Sequence, residues 1–379
     1  MISIRANAIY RRLWRESRHL TPSGAIPSSD ASITTSSQQG ERTAYNHRGL
    51  PKPQSLYRNT YSIPRPIKIY QDLLHTRSYS TPAKGEPTIH NVFEPKTGTW
   101  QYIIADPSTS AAIIIDPVLD YEPASQTITT ISADDILRLI KDKGYKIEWI
   151  VETHAHADHL TASAYLQKRL SQIQVHVPPV GIGKRIEQVQ RLFGERYGVP
   201  KEEYIGVFDK LFDDDETFSF GNLTAKAVHL PGHTPDHLGY HIGDNVFCGD
   251  SLFHVDIGSA RCDFPGGNAT HLFRSARKIL ALEEHVKIWP GHDYPPEERH
   301  SPVPWMSVGD HKRQNKHLRE SITEEKFVAL RTKRDATLGA PRLLHPSLQM
   351  NIRAGQLPQP NNSGHRLFHL PLKLNRLNW

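Results

Sequence analysis

Four side chains able to bind a metal stand within six consecutive positions, residues 154–159, in the pattern H-x-H-x-D-H. They begin three positions after residues 147–151, a largely apolar run with the length of a buried strand. A lone histidine is usually a surface or hydrogen-bonded core residue, whereas so many polar groups at one strand end are costly to bury without a ligand. The cluster therefore predicts a metal site, and the fold must be one that can surround it.

Three further candidate ligands lie in sharp turns downstream. His233 stands in Pro-Gly-His-Thr, Asp250 in Cys-Gly-Asp-Ser and His292 in Pro-Gly-His-Asp. Glycine lets the backbone approach a crowded centre, and proline stiffens the turn. The chain has 22 histidines, so several must be incidental. We expect these to include His229, His237, His241 and His254.

Side-chain alternation divides the cluster into two parts. In an extended segment His154 and His156 can face the same way, while the adjacent Asp158 and His159 point differently and can reach a second position. Imidazole and carboxylate ligands suit zinc or iron better than calcium or magnesium. Spacing alone leaves open whether one metal or two are bound.

Charge and cysteine usage exclude several classes of function. The net charge is +6, but residues 1–85 hold 13 basic and 4 acidic residues, leaving 33 basic and 36 acidic residues in the remainder. The body of the chain is thus slightly acidic, and we predict no nucleic-acid partner. Cys248 and Cys262 form no disulfide framework, which favours a reducing compartment. No apolar run is long enough to predict a membrane span.

The first 85 residues differ from the rest in composition. Residues 1–20 contain five arginines and one acidic residue, and a Ser/Thr/Pro-rich stretch follows. This pattern predicts a transit peptide and a place in the mitochondrial matrix, with a disordered basic tail as the alternative. The predicted division is a leader (1–85), a catalytic domain (86–300), a helical and loop extension that completes it (301–355) and a disordered tail (356–379).

Strand and helix patterns alternate in the body, which predicts a mixed, layered sheet protein. Periodicity, turn residues and capping signals give the main elements. The predicted strands are residues 88–93, 101–104, 111–115, 147–151 and 286–289, and the hairpins lie within 211–230 and 240–247. One helix is predicted from an N-cap near Ser132 to Gly144, and the others are 160–170, 184–198, 269–282 and 323–337.

Several motifs together resemble the metallo-β-lactamase superfamily and, within it, the persulfide (sulfur) dioxygenase family. They are Phe-Glu-Pro (93–95), Ile-Asp-Pro-Val (115–118), the Thr-His-Ala-His-Ala-Asp-His loop, Pro-Gly-His-Thr, Gly-Asp-Ser-Leu, Arg-Cys-Asp-Phe (261–264), His-Asp-Tyr (292–294) and Asn-Ile-Arg-Ala-Gly (351–355). The resemblance covers residues 86–355. It implies an α+β fold, an αββα four-layer sandwich with the metal site at the edge between two sheets.

The resemblance also implies a ligand set and a reaction. His154, His233 and Asp250 would hold one Fe(II) per chain as catalytic ligands. The enzyme would oxidise glutathione persulfide with dioxygen, giving sulfite and glutathione in sulfide catabolism. Four further residues would either orient these ligands or bind a second metal: His156, Asp158, His159 and His292.

Two other functions remain open. A glyoxalase II-like thioester hydrolase (hydroxyacylglutathione hydrolase) would use the same seven side chains to bind two Zn(II) ions per chain and activate a hydroxide. The ligand spacing does not separate this hydrolase from the dioxygenase; the flanking motifs favour the dioxygenase by resemblance. A non-catalytic scaffold is the third alternative, and the complete ligand set argues against it.

Substrate contacts are predicted at three positions, Arg261, Tyr294 and Arg353. Arginine offers a bidentate fork for a glutathione carboxylate, although an ordinary salt bridge explains Arg353 equally well. We expect Cys262 to be structural. Residues 176–228 lengthen the interval between His159 and His233 and could shape the substrate mouth or a homodimer contact.

Overall fold

The computed structural model describes residues 86–374. The predicted leader 1–85 and the last five residues of the predicted tail lie outside this range. Two six-stranded sheets and a three-stranded sheet are present in the described part, together with seven α-helices and the short 3₁₀ helix Lys201–Glu203. None of these helices combines the length and the apolar character needed to cross a membrane.

The first large sheet carries the strand that precedes the histidine cluster. Its first two strand pairs are antiparallel, and its last four strands run parallel to one another. From one edge to the other it contains β1 (Thr88–Glu94), β2 (Thr99–Ala105), β3 (Ala111–Ile115), β6 (Lys146–Val151), β8 (Val180–Gly183) and β9 (Lys210–Phe212).

The second large sheet is mostly antiparallel. Its one parallel pair within the described residues joins the strands that precede Asp250 and His292. In spatial order it contains β10 (Thr217–Phe220), β11 (Leu223–His229), β12 (Leu238–Ile242), β13 (Asn245–Gly249), β14 (Lys287–Pro290) and β15 (Met306–Ser307). The smaller sheet contains β5 (Thr127–Thr129), β4 (Val118–Glu122) and β7 (Leu160–Thr161).

Helices cover the outer face of each large sheet. Three apolar clusters mark the boundaries of the resulting layers: one between helices and the first sheet, one between the two sheets, and one between the second sheet and its helices. The helices are α1 (Ile131–Lys143), α2 (Ser163–Leu170), α3 (Ile186–Tyr197), α4 (Ala269–Leu280), α5 (Val308–Gln314), α6 (Glu324–Asp335) and α7 (Leu344–Asn351). This arrangement confirms the predicted αββα sandwich.

The layer between the sheets is built from side chains that alternate along their strands. Tyr102, Ile113 and Ile115 from the first sheet meet Tyr240 and Phe247 from the second, and all five are almost fully buried. The opposite faces of the same strands pack against the helices. Burial on both faces explains why strands such as β3 read as continuous apolar runs.

Residues 176–228 contribute strands to both large sheets and a helix to the cover of the first. They supply β8 and β9, and α3 packs across the sheet through Val189 and Phe193. The acidic run 213–216 forms ion pairs with Lys184 and Arg185 at the surface. The unusual length of this interval therefore has an architectural explanation.

The C-terminal residues pack against the same unit. Helix α7 contributes Leu348 to the first apolar cluster, and Phe368 stacks edge-on against Tyr121. The backbone N–H of His369 donates to the side-chain amide oxygen Oε1 of Gln349 at 2.8 Å. The division of the chain at residues 300 and 355 stays a prediction.

Candidate metal centre

Every predicted ligand follows the carboxyl end of a strand. The histidine loop, which we define as residues 152–159, follows β6, while Asp250 and His292 follow the parallel strands β13 and β14. His233 lies in the turn between β11 and β12. Because these strand ends meet at one edge of the sandwich, residues separated by up to 138 positions in sequence converge there. The convergence predicted from the sequence motifs is present.

The first ligand group contains His154, His233 and Asp250. One ligand atom from each lies within 4.8 Å of the others, and all three residues are buried. His233 Nε2 is 3.6 Å from Asp250 Oδ2, and the rings of His154 and His233 are perpendicular, with centroids 5.1 Å apart. His154 Nε2 and Asp250 Oδ1 have no hydrogen-bond partner among the described residues. Such buried, converging lone pairs fit a transition-metal ion.

Hydrogen bonds fix the orientation of both histidines in this group. His233 Nδ1 lies 2.8 Å from the carbonyl oxygen of Arg261, which can only accept, so Nδ1 carries the proton and Nε2 keeps its lone pair. The Thr153 hydroxyl donates to Asp116 Oδ2 at 2.8 Å and therefore accepts from His154 Nδ1 at 3.0 Å. Both Nε2 atoms are thus prepared to bind a metal.

A second group lies beside the first and contains His156, Asp158, His159 and His292, with one ligand atom of each within 4.8 Å of the others. His292 Nε2 is 3.0 Å from Asp158 Oδ2 and 3.5 Å from Asp250 Oδ1, so Asp250 contacts both groups. Neither ring nitrogen of His159 has a hydrogen-bond partner in the part of the chain described. The site could therefore hold one ion in the first group or two ions that share Asp250.

The protein charges divide the histidines into different protonation states. Burial lowers the pKa of His154 well below its ordinary value, and the neighbouring His156 acts in the same direction. Burial also opposes a charge on His292, but Asp158 and Asp250 outweigh it and raise its pKa to about 9. Without a metal, the proton on His292 offsets part of the negative charge of Asp158 and Asp250. A bound cation would offset that charge instead and displace the proton.

His156 faces two buried carboxylates. Its Nε2 is 3.1 Å from Asp116 Oδ1 and 3.3 Å from Glu152 Oε2. Burial disfavours the charged imidazole, yet these carboxylates raise the pKa of His156 well above its ordinary value. His156 is therefore turned towards β3 and the start of its own loop, and it stabilises two acidic side chains that would otherwise lie buried without a cation.

A glycine with positive φ allows Asp250 to enter the site. Gly249 has φ of +47°, and a Cβ atom there would lie 2.7 Å from Thr153 Oγ1 and 2.9 Å from His237 Nε2. A larger residue would displace the groups that orient the ligands, in addition to straining the backbone. The Gly-Asp motif is therefore required by space as well as by conformation.

Two residues near His233 were not identified from the sequence. His237, expected to be incidental, is fully buried, stacks on His154 at 4.8 Å between centroids and accepts from the Asp250 backbone N–H at 2.9 Å. Asp236 accepts from the Ala155 backbone N–H at 2.9 Å. The sequence signal that could have identified them is their position in Pro-Gly-His-Thr-Pro-Asp-His, three and four residues after the candidate ligand His233.

Two of the three predicted substrate residues border the site. Tyr294 is half-exposed and its ring stacks on His292, with centroids 5.6 Å apart and planes 10° from parallel. The Arg261 guanidinium binds Asp263 through two hydrogen bonds of 2.6 Å, while its carbonyl orients His233. Substrate contact by Tyr294 and Arg261 stays a prediction, and Tyr294 has the accessible surface that such contact requires.

Arg353 has a different environment. It is 4% exposed, and its Nε donates to Glu203 Oε2 at 2.8 Å while Nη1 donates to the Gln349 carbonyl oxygen at 2.5 Å. These bonds join α7 to the 3₁₀ helix Lys201–Glu203. The placement favours the salt-bridge interpretation of Arg353, and its contact with substrate stays a prediction without structural support.

The sequence and the fold are similar to known metalloproteins. A probable metallo-hydrolase of Burkholderia pseudomallei is 41% identical, covering 75% of this chain and 99% of the relative. Glyoxylase B2 of Dictyostelium discoideum is also 41% identical, over 74% of this chain and 94% of the relative. The mitochondrial persulfide dioxygenase ETHE1 of Bos taurus is 28% identical, with 73% and 92% covered.

A solved structure agrees with these sequence matches. The crystal structure of ETHE1 from Myxococcus xanthus aligns with a TM-score of 0.56 and 25% identity, covering 71% of this chain and all of that one. The profile of the metallo-beta-lactamase superfamily matches residues 95–292, which contain all seven predicted ligands. The fold, the ligand geometry and these similarities agree: the chain belongs to the metallo-beta-lactamase superfamily.

Proposed function

We propose that the protein is a glutathione persulfide dioxygenase that uses one Fe(II) per chain. The reaction consumes one persulfide, one dioxygen and one water, and it yields sulfite and glutathione. The outer sulfur is oxidised, both atoms of dioxygen are reduced, and the sulfur–sulfur bond is cleaved with a proton passing to the glutathione sulfur. No protein nucleophile is required, and iron supplies the activation of dioxygen.

The direction of His156 carries this proposal. Because its Nε2 faces Asp116 and Glu152, the first group offers three protein ligands: His154, His233 and Asp250. Two histidines and one carboxylate with the remaining positions open are the arrangement that non-haem Fe(II) oxygenases use.

The residues around this group have defined tasks. Thr153 and the Arg261 carbonyl hold the two imidazoles in the tautomer that presents Nε2. The stacked rings of His292 and Tyr294, with Phe253 edge-on to both, form an aromatic wall beside the ligands. We infer that this wall limits the access of water and contacts the persulfide chain.

Similarity and composition support the same function and a location. The bovine persulfide dioxygenase and the Myxococcus protein cover more than 70% of this chain. The bovine relative is mitochondrial by name, and the arginine-rich residues 1–20 suit a transit peptide. We therefore extend the proposal to the mitochondrial matrix, with residues 86–355 as the catalytic part.

A dinuclear thioester hydrolase is the second candidate. The second group, which includes Asp158, His159 and His292, contacts Asp250 through His292, as two bound Zn(II) ions would require. The two relatives at 41% identity are named a probable metallo-hydrolase and a glyoxylase. In this function the seven side chains would activate water for attack on a glutathione thioester.

One comparison separates the two candidates. The full chain is expressed, its iron and zinc are quantified, and oxygen uptake with glutathione persulfide is measured beside hydrolysis of S-lactoylglutathione. We expect about one iron per chain and oxygen uptake with equimolar sulfite. Two zinc ions per chain with thioester cleavage and no oxygen uptake would overturn the dioxygenase proposal.

A further inference from the structure

We propose that Asn351, the last residue of α7, is a positioning residue that holds the histidine loop in the shape that binds metal. Its side chain is 3% exposed and lies 190 or more positions from the loop in sequence. Its hydrogen bonds to the loop go to backbone carbonyl oxygens. The inference rests on the metal centre described above and holds whether the centre oxidises persulfides or hydrolyses thioesters.

The Asn351 amide makes three hydrogen bonds to the loop and its end. Nδ2 donates to the carbonyl oxygens of His156 and His159, both at 2.8 Å. Oδ1 accepts from the backbone N–H of Thr161, also at 2.8 Å. An asparagine amide has two N–H groups and one carbonyl oxygen, so both donors and the acceptor are used.

The bonded carbonyls stand on either side of Asp158. Fixing the carbonyls of His156 and His159 fixes the backbone between them, and with it the directions in which Asp158 and His159 project. Two other side chains hold the first half of the loop, since Asp116 accepts from Thr153 N–H and Asp236 from Ala155 N–H. Asn351 supplies the corresponding restraint for the second half.

The chain after α7 is built closely against the same place. Ala354 has φ of +53° and Gly355 has φ of +81°, a tight reversal directly after the helix. A Cβ atom on Gly355 would lie 3.1 Å from the Thr161 carbonyl oxygen and from the Ala164 backbone nitrogen. This close approach keeps the helix end, and therefore Asn351, in register with the loop.

The test uses two Asn351 variants and a matched control. Asn351→Asp keeps the shape and the acceptor for Thr161 but places a carboxylate oxygen against two carbonyls, and Asn351→Ala removes all three bonds. Gln349→Ala is the control, because Gln349 is a buried amide of the same helix whose bonds go to His345 and His369 instead. Each protein is loaded with Co(II), whose visible spectrum reports ligand geometry, and its affinity is measured by chelator competition.

We expect both Asn351 variants to change the Co(II) spectrum and to weaken Co(II) binding about 10- to 100-fold, as loss of residues that orient ligands usually does. Gln349→Ala should keep the spectrum and an affinity within about twofold of the unmodified protein, whatever its loss of thermal stability. Unchanged spectra and affinities in both Asn351 variants would overturn the proposal. An equal change in Gln349→Ala would overturn it too, because the effect would then follow from general destabilisation of α7.

Amide exchange of the unmodified protein decides the matter if both variants fail to fold. Removal of the metal should increase the exchange rate of the Thr161 N–H together with the rates of residues 156–159, because Asn351 is hydrogen-bonded to both segments. Protection at Thr161 that stays constant while the loop exchanges faster would refute the coupling. Oxygen uptake is not used here, so failure of the dioxygenase proposal and failure of this one are distinguishable.

Discussion

The two ligand groups of the centre are adjacent but supported differently. In the first group, His154 and His233 each have Nδ1 bonded to a defined partner, Thr153 or the Arg261 carbonyl. In the second group the support is weaker: His292 Nδ1 lies 3.3 Å from both the Gly98 carbonyl oxygen and the Thr99 hydroxyl, and His159 has no hydrogen bond to a described residue. The ionisable side chains also face one another, with His292 Nε2 at 3.0 Å from Asp158 Oδ2.

This difference indicates which position is prepared for a metal. A histidine whose second nitrogen is already bonded presents its lone pair in a fixed direction, so little order remains to be gained when the ion binds. The second group must exchange its internal contacts for contacts to an ion. The first group is thus the better candidate for a permanent metal, and the second for orientation or for a weaker second ion.

Removing a ligand from each group should give the largest effect and the sharpest contrast. We expect His233→Ala to lose the metal and reduce activity to background, because the first group would keep only two ligands. His159→Ala should retain about one metal per chain with lower turnover. Metal content by elemental analysis and activity on the same sample check both results.

His285→Ala provides the control for these histidine variants. His285 is exposed and pairs with Asp244 at the surface, so metal content and activity should be unchanged. Equal metal loss in His233→Ala and His159→Ala would contradict the contrast between the groups and favour two strongly bound ions.

The loops carrying Asp250 and His292 share a support that can be broken. Arg299 binds Asp293 at 2.5 and 2.6 Å and Asp256 at 2.7 and 3.2 Å, and the Asp293 side chain is fully buried. Arg299→Met leaves that carboxylate without its cation, and we expect a loss of about 3–5 kcal/mol in the free energy of unfolding. Urea denaturation of the metal-loaded protein measures it.

Arg313→Met tests whether any lost ion pair has the same consequence. The Arg313–Glu284 pair is more than half exposed at both ends, so its removal should change the free energy of unfolding by less than about 1 kcal/mol. Similar losses for Arg299→Met and Arg313→Met would show that the buried bridge between the loops has no special importance.

His237→Ala tests the support of the first group without removing a ligand. The Asp250 backbone N–H would lose its acceptor and His154 its stacking partner. We expect metal affinity to fall about 10-fold, at the lower end of the range for residues that orient ligands. Chelator competition measures this effect, and an affinity equal to that of the unmodified protein would mean that Asp250 is held by Gly249 and its strand alone.

The smallest effect is expected from the cysteines, which belong to neither group. Burial raises the pKa of Cys248 to about 12 and also raises that of Cys262, so neither forms the reactive thiolate near neutral pH. Cys262→Ser should keep metal content and activity, and thiol reagents should modify the native protein only on unfolding. Turnover lost at unchanged metal content would show that Cys262 contributes to the reaction.

The candidate ligands could be recognised in the sequence because their signals are local. The H-x-H-x-D-H cluster and the Pro-Gly-His turns can each be recognised within a few residues, and β6 and β13 are short, largely apolar runs. The main helices α3, α4 and α6 were predicted to within a few residues of their observed ends. The αββα sandwich came from resemblance, since periodicity alone indicated only a mixed layered protein.

The supports of the ligands could not be predicted, because they depend on distant contacts. Apart from its position after Pro-Gly-His, nothing local in the sequence distinguishes His237 from the other histidines of the chain. Its role depends on the fold, which stacks its ring on that of His154. Asn351 is the last residue of a weakly amphipathic helix, and its partners lie almost 200 residues away. Helices α5 and α7 were missed because each is only seven or eight residues long, too short for a clear apolar period.

The ligands come from both halves of the sandwich, and this division affects more than the chemistry. His154 belongs to a loop of the first sheet, whereas His233 and Asp250 extend from the second. A bound ion consequently ties the two sheets together, much as a covalent cross-link would, and its binding energy adds to the cohesion of the whole molecule. Metal supply would then govern how long each copy of the protein survives in the cell, as well as how fast it turns over substrate.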